Sequence, residues 1–133
     1  MDSRFGPEDL HHMRILVVED EPLLAIDIAE VLRLHGAEVI GPVATLAEAM
    51  AAVQAHWIDQ AVLDMNLAGQ MGYPVADRLD AAGIPYVIAS AYGSDVLPAR
   101  FRGKPRLDKP FRPEMLVRMM TSGIGQPRTP PPR

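Results

Sequence analysis

Four places in this chain carry residues whose type and spacing could do chemistry. They are the acids Glu19-Asp20-Glu21, the carboxylate of Asp64 ending Gln60-Ala61-Val62-Leu63-Asp64, the hydroxyl of Ser90, and the ammonium of Lys109. A carboxylate at the end of an apolar run is leaving water, which is costly unless it has a partner or a task. If the first and third apolar runs are neighbouring strands, their acids meet, and carboxylates that close repel and raise one another's pKa. A hard divalent cation resolves that conflict, and oxygen ligands with room for water suit Mg2+ (or Mn2+). With a lysine and a hydroxyl beside it, the set contains the parts for phosphoryl transfer to an aspartate. Asp64 would attack phosphorus, Asp20 with Glu19 would hold the metal directly or through water, and Lys109 and Ser90 would meet the transferred oxygens. Singly, each residue reads as a strand cap, a turn hydroxyl or a surface charge. Together, at successive strand ends, they read as a site.

The elements that must position these groups alternate. Arg14 to Val18 is a fully apolar run after its first residue, as in a central parallel strand. Pro22 then opens a helix whose Leu24, Ile28, Val31 and Leu32 share one face and which Gly36 closes. Glu38 to Val43 is a second strand, and Thr45-Leu46-Ala47-Glu48 has the form of a capping box starting a helix that buries Leu46, Met50 and Val53. The strand ending at Asp64 follows, then a loop over 66–73 and a short helix from Pro74 to Gly83. Pro85 to Ala91 is a fourth strand. Gly93, Pro98 and Gly103 punctuate what comes next, which predicts a short or irregular fourth helix. Arg106 to Asp108 is a brief fifth strand, and Pro113 begins a last helix with Leu116, Met119 and Met120 inward.

Repeated strand-then-helix units predict an α/β fold, a doubly wound, flavodoxin-like (βα)5 parallel sheet. With strand order 2-1-3-4-5, strands one and three meet at the switch point and ligands bind at the strands' C-terminal ends. The expected division is a flexible lead-in over 1–13, one domain over 14–123, and a disordered proline-rich tail over 124–133. The tail's Pro127-Arg128-Thr129-Pro130 fits a PxxP ligand, although so short a match is ordinarily only tail.

A length of 133 residues suffices for one core, and the absence of cysteine removes disulfides and thiolate metal sites. No apolar run reaches the length of a membrane span and no signal-peptide core is present, so a cytoplasmic protein without membrane contact is expected. A net charge of −4 argues against a nucleic-acid surface. The adjacent His11 and His12 do not converge on one metal and read as solvated tail.

Val17-Val18-Glu19-Asp20-Glu21-Pro22, Val62-Leu63-Asp64, Ala89-Ser90-Ala91 and Asp108-Lys109-Pro110-Phe111 resemble the receiver (phosphoacceptor) domain of two-component response regulators, from about Arg14 to Met120. The resemblance implies that Asp64 accepts phosphate from the phosphohistidine of a sensor histidine kinase or a phosphotransfer protein. It implies that Glu19, Asp20, Asp64 and the main-chain carbonyl of Asn66 bind Mg2+, and that Ser90 and Lys109 contact the phosphoryl group. It also implies a cis Lys109–Pro110 peptide that aims the lysine into the site. Two features depart from the pattern. Arg106 stands where an inward-swinging aromatic is usual, and Asn66-Leu67-Ala68-Gly69 replaces a methionine-proline pair. Pro85 to Gly93 is loosely similar to the FATGUY-motif variants, which are mostly stand-alone and often paired with HWE or HisKA2 kinases; there Tyr92 would take over the signalling role.

The leading expectation is therefore a single-domain response regulator acting through protein contacts or phosphate flow. It would catalyse its own Mg-dependent phosphorylation and dephosphorylation, with no separate substrate turnover. Asn66, Tyr92 and Arg106 would tune the switch or the phosphorylated lifetime, the downstream protein is unspecified, and a homodimer is possible. The alternatives are a binding-only pseudo-receiver and, ranked lower, an aspartyl-phosphate hydrolase, for which Asp64-Met65-Asn66 lacks the second acid.

Overall fold

A computed structural model of the chain describes residues 10–91 and 97–122. Five strands form one parallel sheet: β1 (Arg14–Val18), β2 (Glu38–Val43), β3 (Gln60–Asp64), β6 (Tyr86–Ala91) and β7 (Arg106–Lys109). Their order is β2-β1-β3-β6-β7, which in the count of five main strands is the expected 2-1-3-4-5. The helices α1 (Pro22–Leu34) and α4 (Pro113–Ser122) cover one face, and α2 (Leu46–Ala55) and α3 (Tyr73–Ala81) the other. Alternate residues of the central strands feed the two layers, so Ile15 and Val17 pack towards α1 while Leu16 and Val18 pack towards α2.

Local chemistry accounts for the helix ends. Thr45 accepts a hydrogen bond from the Glu48 amide at 3.1 Å, while Glu48 reaches back to the Ala44 amide at 3.2 Å, so the capping box forms, displaced by one residue on its return side. Gly36 adopts φ 93° behind α1, and a Cβ there would lie 2.9 Å from the His11 backbone. That contact exists because residues 10–13 are not a lead-in. Leu10 and Met13 are buried, and the Leu10 amide donates to the His35 carbonyl at 2.8 Å. The exposed His11 and His12 ride on a segment anchored by its apolar flanks. The ordered domain thus begins before Arg14, while residues 1–9 and the tail from 123 lie outside the described residues.

Gly41 also has a positive φ, 97°, in β2. A Cβ there would stand 2.7 Å from the Val43 nitrogen and 3.0 Å from the Val17 carbonyl, both backbone atoms that cannot turn aside. Gly41→Ala is expected to lower unfolding stability by roughly 2 kcal/mol in a denaturant titration, combining φ strain with a displaced β1–β2 pair.

One connection holds more regular structure than expected, and a second is as short as expected. The predicted loop over 66–73 contains a small antiparallel hairpin, β4 (Asn66–Leu67) and β5 (Gln70–Met71). Its two central residues, Ala68 and Gly69, have φ 54° and 90°, the signature of a turn whose twist suits a two-residue hairpin. Between β6 and β7 the described residues hold only a 3-10 turn (Ala99–Phe101), as the broken helical signal predicts. This segment is nevertheless firmly attached. Phe101 is buried and stacks on Tyr73, Arg100 grips Asp77 through two hydrogen bonds, and Lys104 pairs with Asp80, which also accepts the Tyr86 hydroxyl.

Candidate functional site

The strand order brings four C-terminal ends side by side. Val18 pairs with Leu63, Asp64 with Ala89, and Ala91 with Lys109. Glu19 and Asp20 therefore leave β1 next to Asp64 at the end of β3, with Ser90 and Lys109 one and two strands further on. A cavity of about 370 Å³ opens there, lined among others by Asp20, Asp64, Asn66, Ser90 and Lys109.

Carboxylate oxygens of Glu19, Asp20 and Asp64 lie within 4.8 Å of one another. Lys109 Nζ donates to Glu19 Oε2 at 3.0 Å and to Asp64 Oδ2 at 3.1 Å, and stands 3.4 Å from Glu21 Oε1. The Lys109–Pro110 peptide is cis. Asp64 Oδ1 accepts the Asn66 amide at 3.0 Å. Asp20 Oδ2 accepts the Ala68 amide at 2.8 Å, which fastens the hairpin over the cleft.

The electrostatics follow from this crowding. Burial, the Asn66 amide working the other way, and then the charge of Glu19 and the hydrogen bond with Asp20 leave Asp64 raised to about 7. Burial also opposes ionisation of Asp20, yet its hydrogen bonds with Asp64 and the Ala68 amide and the field of Lys109 outweigh that and hold it below the usual carboxylate range. For Lys109 burial disfavours the charge, and the hydrogen bonds to Glu19 and Asp64 more than compensate, so the lysine stays cationic. Among the described residues one ammonium faces three carboxylates. The cluster is short of positive charge.

The donor set fits a hard divalent cation. Glu19 is only 2% exposed, and its Oε1 has no hydrogen-bond partner among the described residues. A buried, unpartnered carboxylate oxygen within a three-acid cluster is costly as it stands and is relieved by a cation.

A family model for the response regulator receiver domain matches residues 15–121. The chain belongs to that family. The transcriptional regulatory protein PdtaR of Mycobacterium tuberculosis is 31% identical to this receiver over 90 residues, 67% of this chain and 44% of that protein. The receiver thus spans less than half the length of that relative. SdrG from Sphingomonas melonis Fr1 is 37% identical with a TM-score of 0.73, over 87% of this chain and 96% of that one. The receiver domain of the sensor histidine kinase PA1611 from Pseudomonas aeruginosa PAO1 is 26% identical with a TM-score of 0.73, over 86% of this chain and 99% of that one, and holds a magnesium ion coordinated in its active-site cleft.

Of the residues singled out from sequence, Glu19, Asp20, Asp64, Asn66, Ser90 and Lys109 surround one cleft in this receiver. Tyr92 lies outside the described residues. Arg106 sits on β7 with its guanidinium on Asp108, Nε to Oδ1 at 2.8 Å. Sequence reasoning missed two participants. The Ala68 amide was invisible because a backbone donor has no residue signature. Asp108 was seen only as part of a motif, yet it takes the hydrogen bond of the Ser90 hydroxyl at 3.2 Å. No helix among the described residues is long and apolar enough to cross a membrane.

Proposed function

We propose that this receiver accepts a phosphoryl group on Asp64 from the phosphohistidine of a sensor kinase or phosphotransfer protein, in a Mg2+-dependent step. The observation that carries this is the placement of Lys109 Nζ between Glu19 and Asp64 in a cleft where three carboxylates already crowd together. An Asp64 carboxylate oxygen forms the new O–P bond as the P–N bond to the donor imidazole breaks, the electron pair leaving on nitrogen, which then takes a proton. Lys109 is poised to move its hydrogen bonds from Asp64 Oδ2 to the transferred oxygens, and the buried setting strengthens that interaction. Glu19, Asp20, Asp64 and the Asn66 carbonyl would hold the cation, which when bound supplies charge neutralisation at the phosphoryl oxygens. Asn66 is tied into the hairpin through its side-chain oxygen on the Gly69 amide, and so sets what reaches Asp64 from that side.

The domain works in the cytoplasm and signals by protein contact or onward phosphate flow, its partners being a histidine kinase, of the HWE or HisKA2 type that the similarity of 85–93 to FATGUY-motif receivers supports, and a downstream protein. Incubation with acetyl phosphate and Mg2+ followed by intact-mass measurement is expected to show a gain of one phosphoryl group, lost when EDTA replaces Mg2+. A gain independent of divalent metal sinks the metal-assisted mechanism. No gain, with Mg2+ bound, would favour the pseudo-receiver.

A further inference from the structure

The cavity at the strand ends is walled by polar groups and small residues, with two methionines as the exceptions. Met65 is 2% exposed and belongs, with Leu67, to the core layer under α2 and α3. Met71 is 38% exposed, so the core does not account for its place. Five large apolar side chains are exposed among the described residues, Leu23, Ile26, Leu34, Met71 and Met115, and of these Met71 alone lines the cavity. The hairpin register puts it there. Asn66 on β4 is directly opposite Met71 on β5, and the Asn66 amide donates to Asp64 Oδ1 at 3.0 Å. Residues directly opposite share a face, so the side chains of Asn66 and Met71 leave the hairpin together. Asn66 turns its side-chain oxygen to the tip, where it accepts the Gly69 amide at 2.9 Å. The long apolar side chain at the mouth of the cleft is thus the methionine.

In-line transfer fixes what that mouth must hold. When an Asp64 oxygen attacks phosphorus, the leaving nitrogen departs from the opposite side, away from β3 and towards solvent. A donor imidazole therefore occupies the outer part of the cavity, whose volume of about 370 Å³ admits a ring as well as a phosphoryl group. We propose that Met71 is a specificity-determining residue that packs its thioether against the imidazole of the phosphodonor, and so favours an aromatic leaving group over a small one. The inference rests on the reading of Asp64 as the phosphoryl acceptor. Sulfur beside the edge of an aromatic ring is a favourable contact, and an unbranched side chain follows the ring as the P–N bond lengthens.

The test compares two phosphodonors on the full chain with Mg2+, monophosphoimidazole and phosphoramidate. Each forms the same O–P bond at Asp64 and breaks a P–N bond. The electron pair leaves on nitrogen, which takes a proton, and the products are imidazole from one donor and ammonia from the other. The quantity read is the ratio of the two rate constants for phosphoryl uptake, monophosphoimidazole over phosphoramidate, followed by intact mass. In Met71→Ala this ratio should fall about 5-fold, the worth of one sulfur–ring contact. Met71→Gln, of similar length but with a polar end, should fall as far. Met71→Leu, apolar but without sulfur, should fall part of the way. Each ratio is taken within one preparation, so a partly folded variant does not disturb it. A ratio unchanged in Met71→Ala and Met71→Gln overturns the role of Met71 alone. A wild type that takes phosphate from neither donor takes down the phosphoacceptor reading with it.

Discussion

Asp64→Asn should abolish phosphoryl uptake from acetyl phosphate altogether, and should also make the metal-free protein more stable at neutral pH. The first effect follows because an amide oxygen is not a usable nucleophile towards phosphorus, and no neighbouring acid among the described residues has the same approach. Asp20 is hydrogen-bonded to the hairpin and Glu19 is held by Lys109. The second effect follows from linkage. Asp64 has its pKa raised from 3.8 to about 7, so between these values the folded state holds a proton that the unfolded chain has given up. Stability of the metal-free protein therefore falls as pH rises through that window, and the loss is complete above about pH 7. With screening by solvent at the open cleft, the effect is on the order of 1–2 kcal/mol. Asparagine removes the titration and flattens the curve. Thermal melts of both proteins from pH 4 to 8 in EDTA provide the comparison. A wild type whose stability climbs across this range contradicts the electrostatic account of the cluster.

Lys109→Met is expected to damage the protein in two separable ways. The Lys109 side chain is 13% exposed and those of its partners Glu19 and Asp64 are 1% and 5% exposed, so its loss leaves buried acids without a counter-charge. Removing one partner of such a group costs roughly 3 kcal/mol, less whatever the acids recover by taking up protons. Mg2+ should restore much of this loss, and the rise in melting temperature on adding Mg2+ should exceed that of the wild type. Chemistry will not return with it. A preorganised cation aimed at the transferred oxygens is worth about 10²- to 10³-fold in rate, and the metal occupies a different position. Melting curves with and without Mg2+, set beside the time course of phosphorylation, separate the two roles. Normal transfer kinetics in a folded methionine variant would falsify the role given to Lys109.

Much of the site was legible because chemistry and architecture coincide in it. Apolar runs ending in Glu19-Asp20, Asp64 and Ser90 can be recognised as central strands, and the βα alternation dictates which ends adjoin. What escaped has a common physical cause. The hairpin over the cleft has Ala68 and Gly69 at positive φ, and alanine is a poor advertisement for that conformation, so no Asn-Gly signature announced the turn. Leu10 and Met13 were hidden by a polar neighbourhood in which two histidines and a Gly-Pro pair argue for a loose tail. Ser90 was placed at the right strand end, but which partner its hydroxyl chooses depends on cross-strand register, a property of two strands at once. The broken helical signal before β7 predicts a short or irregular helix, and says nothing of how firmly that segment is held. Described from Leu97 onwards, it owes its attachment to Phe101 and to ion pairs with α3, contacts distant in sequence.

The hairpin's grip on Asp20 is made by the amide of Ala68, with the methyl group uninvolved in that bond. One wall of the cleft is therefore specified by a backbone angle instead of by a side chain. Substitutions there should be tolerated according to how readily each residue enters the left-handed region, with glycine and asparagine favoured and β-branched residues excluded. The loop can then change its outer surface, and with it what it shows to a passing partner, while the chemistry beneath stays in place. Recognition and catalysis can drift independently on the same few residues.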